Sequence, residues 1–64
     1  MINCVIIDDE PKNNRLLQNM LGVHCPDVNV LAVETNAKAG VEIIRELQPQ
    51  LVFLDIEMPH LNGF

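Results

Sequence analysis

Two short apolar runs that end abruptly in acid constrain this chain more than any other feature. Ile2-Asn3-Cys4-Val5-Ile6-Ile7 runs into Asp8, Asp9 and Glu10, and Leu51-Val52-Phe53-Leu54 runs into Asp55. The first is β-branched and reads as a buried strand; the second, with no polar alternation, reads as a strand buried on both faces. Between them the period changes. Pro11 suits a first helical position, where its missing N–H costs nothing, and Glu10 stands at the positive end of the helix dipole. Leu16, Leu17, Met20 and Leu21 recur on one stripe, which predicts a helix from Pro11 to Gly22 or Val23, stopped by Gly22 and Pro26.

Val28 to Glu34 is β-prone but broken by Asn29, as suits an edge strand exposed on one side. Asn36 is placed to cap a second helix over Ala37 to Leu47, with Val41, Ile44 and Leu47 on its inner stripe and Ile43 widening it. Gly40 is the weak point of that helix. Gln48, Pro49 and Gln50 end it before the third strand. The order is strand, helix, strand, helix, strand with short links, an α/β unit whose βαβ crossovers make the sheet parallel.

With 64 residues the chain spans at most one small domain. Its 48% hydrophobic and 20% charged content argues for a packed interior. Four Lys and Arg against nine Asp and Glu give a net charge of -5, the wrong sign for direct contact with nucleic acid. No apolar run approaches a membrane span and no basic leader precedes the first strand, so the expected address is cytoplasmic. Cys4 and Cys25 have neither disulfide-framework nor metal-ligand spacing. Cys4 reads as a small buried hydrophobe and His24 as a surface residue.

In a parallel α/β sheet the carboxyl ends of the strands line one crevice. If the first and third strands are neighbours, Asp8, Asp9 and Asp55 converge there, with the backbone carbonyl of Glu57 just beyond. Two unit charges ~4 Å apart repel by about 1 kcal/mol in water and about 4 at an effective dielectric of ~20, so a cation is needed to offset the cluster. Oxygen ligands with waters completing the shell suit Mg2+. Asp55, alone at its strand end, is then the candidate nucleophile toward phosphorus, and Asp8 with Asp9 the metal holder. On spacing alone these acids also read as solvated residues of polar strand ends.

Ile6-Ile7-Asp8-Asp9-Glu10-Pro11, then Leu51-Val52-Phe53-Leu54-Asp55-Ile56-Glu57-Met58-Pro59 and Asn62-Gly63-Phe64, resemble the receiver domain of bacterial two-component response regulators. The wording around Asp8 and Asp55 looks most like the subgroup whose receiver precedes a LytTR-type DNA-binding domain. The resemblance implies a flavodoxin-like fold, truncated here to strands in the order 2-1-3. It implies Asp55 as phospho-acceptor, Mg2+ held by Asp9, Asp55 and the Glu57 carbonyl, and Asp8 helping directly or through water. Pro59 and Gly63 would shape the loop after the acceptor strand. The partner implied is a sensor histidine kinase, and the outcome is control of an output domain that acts on DNA.

Residues 1–64 cover about the first half of such a receiver. Its last two strands, with the Ser or Thr and the Lys that the family uses beside the phosphoryl group, lie outside the chain. Thr35 and Lys12 are misplaced to stand in for them. An open apolar edge at Leu51 to Leu54 predicts self-association. A receiver is a phospho-acceptor rather than an enzyme acting on a separate substrate. Two alternatives remain: a fragment of a haloacid-dehalogenase-like phosphatase, which would want an Asp where Glu57 follows Asp55, and an interaction module that does not take phosphate.

Overall fold

The structure, a computed structural model, describes residues 1–55. Five elements follow in the expected order: β1 (Ile2–Asp8), α1 (Pro11–His24), β2 (Val28–Glu34), α2 (Ala37–Leu47) and β3 (Leu51–Asp55). The strands form one parallel sheet in the order β2-β1-β3. The described strands therefore follow the flavodoxin-like order 2-1-3, with β1 between the other two. The two crossovers, from β1 to β2 and from β2 back across β1 to β3, run in opposite directions along the sheet, so crossovers of one hand put α1 and α2 on opposite faces. The packing agrees: Cys4 and Ile6 meet Leu21 of α1, whereas Ile7 meets Gly40 of α2.

The core is narrow. Cys4, Val5, Ile6 and Ile7 are fully buried in β1, because only the central strand has a strand on each side and a helix on each face. β3, expected to be buried on both faces, is not: Val52 and Phe53 are half-buried, while Leu54 is 66% exposed. Both helices lie over β1 and β2, and the backbone of neither comes close to β3. The helix stripes are correspondingly trimmed. Leu17 and Leu21 pack on the core, but Leu16 (60%) and Met20 (51%) are exposed. On α2, Ile43 and Ile44 are half-buried and Val41 and Leu47 exposed. β2 is the edge strand expected.

Within β2 the inward phase slips. Val28 and Val30 pack on the core, and the next residue to do so is Val33. The register with β1 shifts between Cys4 and Val5, from Cys4 opposite Val30 to Val5 opposite Ala32, so Leu31 is the extra residue of a bulge that moves the alternation by one. At the opposite end of the sheet the amides interlock. The Asn3 N–H donates to Gln50 Oε1 (2.8 Å), the Gln50 N–H to the Asn3 carbonyl (2.9 Å), and Asn29 Nδ2 to Asn3 Oδ1 (3.2 Å).

The caps explain the helix limits. Asn36 Oδ1 accepts the Ala39 N–H at 3.0 Å, the N-cap expected for α2. α1 runs through Gly22 to His24, a residue or two beyond its predicted end. It stops at Cys25, whose backbone (φ -131°, ψ 69°) has left the helical region that a following Pro26 disfavours. α2 ends on Gln48 in the left-handed region (φ 46°), just before Pro49.

Gly40, the apparent weak point of α2, is a packing requirement. A Cβ built there would stand 2.5 Å from Ile7 Cδ1, 3.0 Å from Cγ1 and 3.1 Å from Cγ2. Alanine gains about 1 kcal/mol of helix propensity, but both branches of a fully buried Ile7 would have to yield, an overpacking cost of about 1–3 kcal/mol. Gly40→Ala is expected to lower the urea midpoint. A raised midpoint would show that Ile7 yields freely and that the contact does not set the helix-to-sheet distance.

Candidate functional site

Asp8 and Asp55 end neighbouring parallel strands and are register partners, so they lie about 4.8 Å apart in the ladder, with side chains on the same face. That face is the α1 side, two residues on from the Ile6–Phe53 pair. A groove of about 350 Å³ opens there, with Ile6, Phe53, Leu17 and Met20 along its apolar length and Asp8, Asp55 and Asn13 at its polar end. It is a pocket at the carboxyl ends of parallel strands, the common ligand position of open α/β sheets.

Three features distinguish the two carboxylates. Asp8 is 8% exposed, and its Oδ1 accepts the Glu10 N–H at 2.9 Å, a turn that leads β1 into α1. The Asp8 carbonyl accepts from Asn14 Nδ2 at 3.1 Å. Asp55, by contrast, is exposed at the end of an edge strand. Asp9 is also exposed and does not line the groove. Among the described residues no three His, Cys, Asp or Glu side chains stand together as a metal-holding set. The described part of the site thus brings Asp8 and Asp55 together and leaves Asp9 outside their groove. Glu57, Pro59 and Gly63, the remaining positions singled out in the sequence, lie outside the described residues.

Asn14 was not singled out as a site residue, and the structure makes it notable. It is 4% exposed on α1, and its Oδ1 is buried without a hydrogen-bond partner among the described residues. Such an oxygen costs about 1–3 kcal/mol. The signal was present in the spacing: Asn14, Leu17 and Leu21 fall at i, i+3 and i+7, which puts an amide on the inward stripe. Cys4 follows expectation as a buried hydrophobe, and burial pushes its thiol pKa above the ordinary value, which keeps it protonated and unreactive. Cys25 is free and exposed.

Fold and site together define a class: a doubly wound α/β unit with an acidic pocket where its central and outer strands end. Comparison with known proteins gives the family. Residues 4–64 match the model of the response regulator receiver domain, and the chain belongs to that family. It is 40% identical over 63 residues to an uncharacterized response regulatory protein of Vibrio vulnificus, covering 98% of this chain and 26% of that protein. It is also 40% identical to a protein-glutamate methylesterase/protein-glutamine glutaminase of Geobacter sulfurreducens, over 98% of this chain and 17% of that one. A protein of the same name from Myxococcus xanthus is 38% identical over the whole chain and 18% of its own length. The chain therefore spans about a quarter or less of these relatives. No solved structure matches it. None of these relatives carries a LytTR name, so the receiver assignment stands without the subgroup. Among the described residues no helix is long and apolar enough to cross a membrane.

Proposed function

We propose that this receiver takes a phosphoryl group on Asp55 from a sensor histidine kinase, with Mg2+ in the acidic pocket, and that the modification controls an output. The observation that carries the reading is the pairing of Asp8 with Asp55 at the head of the groove, in a chain of the receiver family. Asp55 is the acceptor because it is the exposed member of the pair, open to a bulky donor, whereas one oxygen of Asp8 is engaged by the Glu10 N–H. An Asp55 oxygen forms the new bond to phosphorus as the bond from phosphorus to the donor, a histidine nitrogen, breaks.

Two carboxylates in a groove fit Mg2+, which is held by one or two carboxylates and keeps several waters, better than they fit an all-protein cage. Asp8 and Asp55 are the described residues placed to hold it; the family resemblance adds the Glu57 carbonyl, which lies outside the described residues, and Asp9, which lies outside the described groove. When bound, the ion neutralises charge on the phosphoryl oxygens. The protein's own residues keep Asp8 oriented, through Glu10 and Asn14, and leave Asp55 exposed at the end of β3.

Two outputs fit the proposal. A DNA-binding output of the LytTR type rests on the wording of the sequence around Asp8 and Asp55, and an output shared with protein-glutamate methylesterases is favoured by the names of the relatives. Sequencing the product of the natural gene distinguishes them. Phosphate capture itself is tested by incubating the protein with a labelled small-molecule phosphoryl donor. Acid-stable, base-labile label is expected with Mg2+ and little without it. Equal labelling with and without Mg2+ would remove the metal from the proposal, and no labelling under either condition would favour a module that does not take phosphate.

A further inference from the structure

Asp8 terminates the pairing of β1. Its neighbour Ile7 is the last residue in register with β2, so Asp8 is held in the sheet only on its β3 side. What fixes it on the other side is a short circuit through α1. The Glu10 N–H reaches the Asp8 carboxylate, Asn14 Nδ2 reaches the Asp8 carbonyl, and the Asn14 N–H bonds the Glu10 carbonyl at 3.3 Å. Three residues close a ring around the turn from β1 into α1, and Asn14 is the member that joins it to the helix. An apolar residue of similar size would fill the same buried position without an oxygen that has no hydrogen-bond partner among the described residues. The amide contributes the hydrogen bond to Asp8, and with it the angle at which β1 hands its acid to the pocket.

We infer that Asn14 is a positioning residue: by clamping the Asp8 carbonyl it sets the orientation of the Asp8 carboxylate and so the affinity of the pocket for a divalent cation. The inference rests on the proposed function for its metal, but not for the clamp itself. Partners that orient a ligating carboxylate typically change metal affinity by about 10- to 100-fold when removed. Asn14→Leu separates this role from a merely structural one: it removes a buried oxygen that has no partner among the described residues and takes a donor from the Asp8 carbonyl, two opposing effects of similar size, so the melting temperature should change little while the site weakens.

Two readouts decide it. In the metal-free protein, hydrogen exchange of the Glu10 amide, which reports the turn onto Asp8, should quicken by about tenfold in Asn14→Leu, with Val5 and Ile6 unchanged. In a titration with Mg2+ alone, followed by calorimetry, the Kd should rise by about tenfold or more. Asn14→Ala, which removes the amide without adding bulk, should reproduce both results and provides the measurement if the leucine does not fit. Unchanged Glu10 exchange overturns the clamp. Quickened exchange with an unchanged Kd overturns its link to the cation. If the unsubstituted protein binds no Mg2+, the metal reading fails, and with it the link to the cation, while the exchange measurement still decides the clamp.

Discussion

Asp55→Asn is expected to abolish phosphoryl uptake, a loss of at least about a hundredfold in label, while the fold persists. An amide oxygen is a far poorer nucleophile than a carboxylate oxygen, so the step in which Asp55 bonds phosphorus has no route. The structural cost is small because Asp55 is exposed at the end of β3, where substitutions usually stay within about 0.5 kcal/mol. Removing one of two adjacent carboxylates also relieves repulsion, worth about 1 kcal/mol at most in water at this spacing. The variant should therefore melt at or slightly above the parent temperature. Asp8→Asn is the informative companion: it keeps the nucleophile and should weaken Mg2+ binding instead. Phosphate labelling of Asp55→Asn at the parental rate would mean that another carboxylate is the acceptor.

How much of this could be read from the chain depends on which residues have local causes. Asn36 announced α2 because a cap acts within four residues, and the β1 run announced a buried strand because burial on both faces leaves no room for alternation, its central place following only from the family's strand order. The open edge of β3 was legible, but its exposed faces were not. Leu51-Val52-Phe53-Leu54 is composed for two covered faces, and among the described residues the helix backbones lie over β1 and β2 instead, a placement that no local pattern encodes. The bulge at Leu31 was silent for the same reason: a shift of phase by one residue is visible only against the partner strand. Gly40 was misjudged because helix propensity is a local penalty, whereas its benefit is a contact with Ile7 more than thirty residues earlier.

The candidate site was legible to a similar depth. Asp8 and Asp55 were found from the acid that ends each strand, and the register brings those two together. Asp9 follows Asp8 in sequence, but the sheet ends at Asp8, so adjacency along the chain does not carry Asp9 into the same groove. Asn14 was passed over because attention to charge selects carboxylates and overlooks a neutral amide. Its buried position in the heptad-like spacing with Leu17 and Leu21 is where the helix and the pocket meet.

The platform under that pocket is thin, and Ile6→Ala should expose it. Ile6 is 1% exposed, stands between Val33 of β2 and Phe53 of β3, and belongs to the cluster with Cys4 and Leu21. Truncating such a side chain costs about 2–5 kcal/mol, the larger values arising where the surroundings cannot collapse. A sheet held rigidly on both sides of Ile6 is such a place. Against a whole-domain stability of about 0.05–0.15 kcal/mol per residue, the loss is comparable to all that a chain of this size has. Ile6→Ala is expected to be largely unfolded near room temperature by circular dichroism. Val23→Ala, which trims an exposed valine of α1, should stay within about 0.5 kcal/mol of the parent. Because Ile6 lies two residues before Asp8 on the same face, metal binding should disappear together with the fold rather than before it. Equal urea midpoints for the two variants would mean that β1 is not the core of this domain, and that the acids are positioned by something other than the sheet.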